Sequence, residues 1–187
     1  MTNRYLSIFI LSLLLITLSS WANDNLDLGT LSRNGQLVDR TGYAFLYSEK
    51  HEQPLWVSYK MTKAEVQNKV ARRRDNFRLA PVIKTGSAIL ADYKGSGYDR
   101  GHLAPTGDMT WSKEAMSESF FLTNMSPQVP ALNRGMWRIL EEQIRKWALK
   151  EQELYITSPI IRPNYKTIGL NKVTVPQWYY KIIVDYH

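Results

Sequence analysis

The clearest structural signal in the sequence is a long amphipathic segment at residues 131–149. Its apolar residues recur every three or four positions, as on one face of a helix, at Trp137, Leu140, Ile144 and Ala148. The other apolar clusters are short and rich in aromatic and β-branched residues, which favour strands. The pattern predicts an α+β fold, in which this helix packs against an antiparallel sheet.

Shorter segments around the helix also carry recognisable patterns. Residues 43–47 and 55–59 flank a turn-forming stretch and are expected to pair as antiparallel strands. Thr62 and Glu65 have capping-box spacing, so a short helix is expected to begin there. Glycine and proline residues predict a loop over 72–101. Further strands are predicted at 120–123, 154–156 and 178–184.

Composition narrows the range of functions. The chain has 187 residues, and the part that follows residue 22 has the size of one domain. The net charge is +7, which favours polyanionic partners. Cysteine is absent, which excludes disulfides, thiolate zinc sites and cysteine nucleophiles. Only three histidines are present, so imidazole chemistry has few candidates.

Residues 1–22 have the pattern of a secretory signal peptide. Arg4 precedes an apolar run over 6–16, and the small residues Ser20 and Ala22 suit cleavage after Ala22. A membrane anchor is the alternative, but the apolar run is shorter than the roughly 20 residues that a span needs. We therefore expect a secreted or periplasmic protein without stable membrane association after cleavage.

A basic segment lies between Lys60 and Lys84, where eight basic residues accompany two acidic ones. Composition alone favours a solvated basic surface. The same clustering suits binding to a phosphate backbone, because each neutralised phosphate releases counterions. The candidate nucleic-acid-binding residues are Lys60, Lys63, Lys69, Arg74, Arg78 and, at the start of the long helix, Arg134.

The segment Gly95–Pro105 holds the most informative side chains. Its glycines permit close backbone approach to a ligand, and Arg100 is a bidentate phosphate donor. Asp99 precedes His102 by three residues and is expected to set the tautomer of that imidazole. The alternative from these residues alone is a structural histidine. His51, in a turn, and His187, at the chain end, are expected to lie outside any site.

Tyr98–Pro105 resembles the DRGH signature of the DNA/RNA non-specific endonucleases, the ββα-metal family. Arg73–Arg78 resembles the upstream arginine segment of that family. Phe121–Gln128 and Leu132–Glu141 resemble the strand and turn before the metal helix and the helix itself. The resemblance covers about residues 40–185 in the family's order. It implies a ββα-metal active-site core in a single nuclease domain over 23–187.

The resemblance also implies residue roles. His102 matches the general base, and Asn133 matches the side-chain ligand of one divalent ion, Mg²⁺ or another such as Mn²⁺. Glu141 matches the carboxylate that holds the waters of the ion. Arg73 and Arg145 match arginines that stabilise the charge on the phosphate, and Arg74 is the alternative to Arg73 if the alignment shifts by one residue. Asp99 and Arg100 match orienting groups.

Helix geometry is compatible with these roles. Asn133 and Glu141 are eight residues apart, about 12 Å along a helix axis, so one direct and one water-mediated ligand is expected. Glu141 and Arg145 are at i,i+4 spacing, which also suits a surface ion pair. Glu142 is the neighbouring alternative to Glu141, but on a helix its side chain would point in another direction.

The function that the resemblance implies is metal-dependent hydrolysis of DNA and RNA with 5′-phosphate products. The alternatives are a non-catalytic nucleic-acid-binding module and a phosphodiesterase with another substrate. Members of the family usually continue beyond the strand that resembles 178–184, whereas every residue assigned to catalysis lies at or before Arg145. An exposed apolar patch or an unpaired strand edge is therefore expected at 178–184.

Overall fold

The structure is a computed structural model that describes residues 24–26 and 35–185, with the backbone alone for residue 24 and for 158–165. The predicted signal peptide and His187 lie outside the described residues. Within the described part, no helix has the length and apolar character needed to cross a membrane. In chain order the elements are β1 (Gln36–Asp39), β2 (Ala44–Ser48), β3 (Gln53–Thr62), α1 (Lys63–Gln67), α2 (Leu90–Tyr93), β4 (Asp99–His102), α3 (Lys113–Glu118), β5 (Met125–Gln128), α4 (Arg138–Glu151), β6 (Glu153–Ile168), β7 (Val173–Tyr179) and β8 (Ile182–Val184).

The α+β prediction is confirmed. The main sheet has the order β1-β2-β3-β6-β7, with β8 also paired to β6, and all of its pairs are antiparallel. The hairpin predicted at 43–47 and 55–59 is β2 and β3. Helix α4 lies against this sheet, because Ile144 and Ala148 share one buried cluster with Phe45, Tyr59 and Ile156.

The predicted helix at 131–149 forms with its apolar stripe inward, and it starts in an unusual way. Residues Leu132–Trp137 are π-helical, with a non-helical φ of −103° and ψ of −110° at Gly135, before regular helix begins at Arg138. The capping box at Thr62 also forms, since Glu65 N donates to Thr62 Oγ1 at 3.2 Å.

The prediction of a strand at 120–123 is wrong. These residues are buried, but Leu122–Asn124 is a 3₁₀ helix and β5 begins at Met125. The backbone of this stretch hydrogen-bonds to that of Arg78, whose carbonyl oxygen accepts from Leu122 N at 2.9 Å. The sequence is apolar here because its aromatic residues are buried in the core, and not because the residues form a strand. The loop predicted over 72–101 is interrupted by α2 and by the start of β4.

The strand predicted at 178–184 is divided in two. Tyr179 in β7 pairs with Ile160 of β6, and Ile182 in β8 pairs with Thr157 of β6. Both strands therefore pair with β6 in the same register, and residues 180 and 181 between them are not in a strand. Two of the apolar side chains in this stretch are exposed, Trp178 at 60% and Ile182 at 44%.

Asn124 links the small β4–β5 sheet to the rest of the core. Its Oδ1 accepts from Ala104 N at 2.9 Å, and its Nδ2 donates to Ala104 O at 2.8 Å and Ser119 O at 2.9 Å. The side chain is fully buried. It therefore satisfies three backbone groups that water does not reach.

We predict that Asn124→Ala lowers the free energy of unfolding by about 3 kcal/mol or more, because buried groups left without partners cost roughly 1–3 kcal/mol each. Urea denaturation followed by circular dichroism measures this change. Gln177→Ala, at an exposed position of β7, is the matched control and is expected to change stability by about 0.5 kcal/mol at most. Equal stability of the two variants would contradict the role of Asn124.

Candidate active site

The DRGH residues form β4, whose alternation decides where each side chain lies. β4 pairs with β5 so that Asp99 faces Gln128 and His102 faces Met125. Because side chains alternate along a strand, Arg100 and His102 share one face, and Asp99 lies on the other. An added Cβ at Gly101 would lie 2.3 Å from the side chain of the fully buried Gln128, so any larger residue here would displace that side chain.

His102 lies in an aromatic setting. Its ring centroid is 5.3 Å from that of Phe120 and 5.6 Å from that of Phe77, and the Arg100 guanidinium lies 4.3 Å from the Phe77 centroid. Nε2 of His102 is buried and has no hydrogen-bond partner within the described chain. Desolvation, with added repulsion from Arg73 and Arg100, lowers the pKa of His102 to about 3. The imidazole is therefore neutral at neutral pH.

Asp99 joins β4 to the start of the long helix. Its carboxylate accepts from Asn133 Nδ2 at 2.9 Å and from Arg134 Nε at 2.8 Å and Nη2 at 2.6 Å. The hydrogen bonds to Arg134 are the main reason that the pKa of Asp99 is lowered. The expectation that Asp99 sets the tautomer of His102 is wrong, because three residues of strand place the two side chains on opposite faces.

Arg73 reaches the same region from the loop before α2. Its Nε donates to Asp75 Oδ1 at 2.8 Å, and its Nη1 donates to Thr106 Oγ1 at 3.2 Å. The guanidinium carbon lies 5.4 Å from the Phe120 centroid. Arg73 is therefore the arginine beside His102, whereas Arg74 lines a separate cavity.

Arg145 is held by a buried carboxylate and not by Glu141. Its Nη1 donates to Asp108 Oδ1 at 2.6 Å, and Tyr59 Oη donates to Asp108 Oδ2 at 2.8 Å. Gly107 lies against this guanidinium, so that an added Cβ would be 2.8 Å from Nη1. The alternative of a Glu141–Arg145 surface pair is not formed in the described structure, and Glu142 pairs instead with Arg138.

Glu141 is half-buried beside this pair. Desolvation and the nearby Asp108 raise the pKa of Glu141, whereas Lys181 and Arg145 oppose the shift. Lys181 and Arg145 therefore favour the ionised form of the Glu141 carboxyl, which burial disfavours.

Lys181 lies beside residues of the site, although no functional motif marks it. Its Nζ donates to Leu103 O at 2.8 Å and lies 5.2 Å from the Trp137 ring centroid. Trp137 Nε1 donates to the neighbouring carbonyl of His102 at 3.4 Å. Burial lowers the pKa of Lys181, and Glu141 is the strongest opposing influence. The only sequence signal is a lysine inside an apolar strand, where a buried charge needs a partner.

One cavity of about 450 Å³ brings most of the predicted groups together. The predicted residues that line it are Arg73, Arg100, His102, Asn133, Arg134, Glu141 and Arg145. Asp99 lines an adjoining cavity of about 590 Å³, to which Arg73, Arg100 and Asn133 also contribute. Residues that are far apart in the sequence thus converge on a single cleft.

The comparison with known families agrees with this geometry. The sequence matches the DNA/RNA non-specific endonuclease family over residues 22–186. The chain belongs to this family.

Individual relatives support the same assignment. Mitochondrial endonuclease G of Homo sapiens is 34% identical over 161 residues, which cover 80% of this chain and 54% of that protein. A nuclease of Nostoc sp. is 36% identical over 159 residues, and this aligned region covers 82% of this chain and 56% of that protein. The chain thus spans about half the length of these curated relatives. A crystal structure of an EndoG/EndoGI complex superposes with a TM-score of 0.76 at 30% identity, covering 81% of this chain and 68% of that one.

In this endonuclease-family chain, the nucleic-acid-binding residues predicted within the basic segment divide into three groups. Arg78 is a structural side chain, since its guanidinium donates to Ser117 O at 2.8 Å and lies 4.0 Å from the Phe121 centroid. Arg74 lines the separate cavity. The lysines of the basic segment, at 60, 63 and 69, line neither cavity of the cleft.

The donor set of the cleft fits one hard divalent ion held mostly through water. No group of three His, Cys, Asp or Glu side chains among the described residues is arranged as a metal cage. Asn133 gives its Nδ2 hydrogen to Asp99, so its Oδ1 is turned away from that carboxylate and is a suitable neutral ligand. Glu141 lines the same cavity, where its carboxylate can accept hydrogen bonds from metal-bound water.

We predict that Asp108→Ala lowers the free energy of unfolding by about 3–5 kcal/mol, since it leaves the largely buried Arg145 guanidinium without its partner. Thermal and urea unfolding measure the loss. Glu142→Ala removes an exposed ion pair on the same helix and is expected to cost about 1 kcal/mol at most. The assignment of Asp108 as the anchor of Arg145 fails if both variants lose equal stability.

Proposed function

We propose that this chain is a divalent-metal-dependent endonuclease that hydrolyses the phosphodiester bonds of DNA and RNA and leaves 5′-phosphate ends. The observation that carries the proposal is the convergence of His102, Asn133, Glu141 and two arginines on one cleft. Membership of the DNA/RNA non-specific endonuclease family supports it. The names of the relatives agree, since they describe endonuclease G and other nucleases.

His102 has the properties of a general base. Its low pKa keeps the imidazole neutral, which is the form that accepts a proton from attacking water. Arg73 and Arg100 lower that pKa in the free protein. A bound phosphate diester brings negative charge between these cations, which makes the imidazole more basic when substrate is present.

Two arginines are placed to stabilise the charge of the pentacoordinate phosphorane. Arg73 is fixed by Asp75 and Thr106, and Arg145 is fixed by Asp108. Because these partners position both guanidinium groups before substrate binds, little reorganisation accompanies the reaction. Arg100 and Arg134 line the same cavity and add positive charge for the flanking backbone.

Asn133 and Glu141 would hold the metal ion, Asn133 directly and Glu141 through water. A bound Mg²⁺ or Mn²⁺ supplies Lewis-acid stabilisation of the 3′-oxygen that leaves. Asp99 orients the Asn133 amide, so that the oxygen and not the nitrogen is presented.

We also propose that the protein is exported. The support is the signal-peptide pattern of residues 1–22, with a basic start, an apolar run and small residues before the cleavage position. DNA and RNA outside the cytoplasm would then be the substrates.

We predict that His102→Ala lowers the rate of plasmid and RNA cleavage about 10²–10⁴-fold, as expected for the loss of a general base. Binding of DNA at low salt is expected to change little. His51→Ala is the control, because His51 bonds Thr174 in a turn outside the cleft and its loss should leave cleavage intact. Near-wild-type cleavage by His102→Ala would refute the assigned mechanism, and wild-type protein that binds but never cleaves would establish a binding module.

We predict different effects for the two metal-site residues. Asn133→Ala should weaken binding of Mg²⁺ or Mn²⁺ in isothermal titration, because it removes the direct ligand. Glu141→Ala should mainly slow turnover, with a change in metal affinity of about 10–100-fold at most. Glu114→Ala is the control, because this exposed carboxylate of α3 lines neither cavity of the cleft. The ligand order is reversed if Glu141→Ala abolishes metal binding while Asn133→Ala retains it.

A further inference from the structure

A second cavity of about 500 Å³ lies beside the active site and has no role in the chemistry described above. The segment 70–78 separates this second cavity from the active-site cleft. Arg73 and Asp75 line the cavities of the cleft, whereas Arg72, Arg74 and Asn76 line the second cavity. This alternation has the period of an extended chain, whose successive side chains point to opposite sides.

The second cavity is strongly basic. Arg72, Arg74 and Lys113 line it, and no acidic residue does. Within the described chain none of these three cations forms an ion pair, in contrast to Arg73, which pairs with Asp75. Three uncompensated positive charges around one concave surface produce a local field that attracts anions.

Packed elements hold the wall of the cavity in place. Ser117, in α3, accepts from Arg78 at both its carbonyl oxygen, at 2.8 Å, and its Oγ, at 3.0 Å. Asn76 N donates to Arg74 O at 2.7 Å. Val70 N donates to Thr110 O at 2.9 Å. These bonds fix the backbone that carries the cations, which reduces the ordering cost of binding.

We propose that this cavity binds a backbone phosphate of the same nucleic-acid strand that is cut in the cleft, displaced from the scissile phosphate. The proposal rests on the proposed function for the identity of the anion. Arg73 and its neighbours 72 and 74 are adjacent in the sequence, so the two cavities are separated by the width of one chain segment. Phosphates recur about every 3.4 Å along the axis of each strand, so a second phosphate lies within reach of the second cavity.

Contacts of this kind carry no base information. Arginine and lysine on phosphates fix the register and orientation of a nucleic acid and contribute affinity that does not depend on sequence. The second cavity would thus strengthen binding of polymers and leave the reaction at the scissile phosphate unchanged. A substrate with one phosphodiester and no flanking phosphates would not use it.

The test compares the triple variant R72Q/R74Q/K113Q with wild-type protein in binding to duplex DNA, without metal, over a range of salt concentrations. The slope of log K against log salt should fall by about 0.9, because the variant loses its contact with one phosphate. K50Q is the matched control, because Lys50 is exposed in the β2–β3 turn and lines neither cavity. Its slope should equal that of wild-type protein.

A second measurement separates the cavity from the catalytic centre. With metal present, the triple variant should lose kcat/KM on duplex DNA through KM. Its rate on bis(p-nitrophenyl) phosphate, which has one phosphate, should equal that of wild-type protein. An unchanged salt slope, or an equal loss on both substrates, would overturn the proposal. If wild-type protein cleaves neither substrate, the proposed function fails, while the slopes measured without metal still decide whether this cavity binds DNA.

Discussion

The carboxylate of Asp99 accepts hydrogen bonds from Asn133 and Arg134, and this link fixes β4 relative to the start of the long helix. The base candidate His102 lies on β4, and the metal-ligand candidate Asn133 lies on the helix. Each would be misplaced without the other element held beside it. Because both oxygens of one carboxylate are used, the link constrains the orientation of the helix as well as its distance.

A second constraint acts on the backbone directly after His102. Trp137 donates to the carbonyl of His102, and Lys181 donates to the carbonyl of Leu103. The two donors come from the helix and from the junction between β7 and β8. The end of β4 is therefore held by two side chains that are distant in sequence from the DRGH motif.

The charges of the cleft are arranged for an anionic substrate. Arg73 and Arg145 each have a carboxylate partner, while Arg100 lies against an aromatic ring. Glu141 and Asp108 offset part of this positive charge, and they do so from half-buried and buried positions. An anion that enters the cleft therefore meets oriented guanidinium groups, two of which are positioned by Asp75 and Asp108.

Sequence patterns predicted most of the residues that line the cleft but not how they contact one another. The resemblance identified His102, Asn133, Glu141 and Arg145, and spacing left an ion pair between Glu141 and Arg145 as an alternative. The structure pairs Arg145 with Asp108 instead, because a loop brings a buried carboxylate against the helix. The glycine-rich sequence predicts a loop up to residue 101, whereas the structure forms β4 over Asp99–His102, and its alternation places Asp99 and His102 on opposite faces.

The sequence by itself determined the α+β class, the long helix and its buried stripe, the β2–β3 hairpin and the capped start of α1. These features depend on local periodicity and on neighbouring residues, which a sequence displays directly. Only the tertiary structure decided that Lys181 binds the backbone beside the site, that Arg73 and Arg74 face different cavities, and that residues 120–123 are buried without forming a strand. Each of these depends on which distant segment supplies the hydrogen-bond partner, and the local pattern of residues does not contain that information.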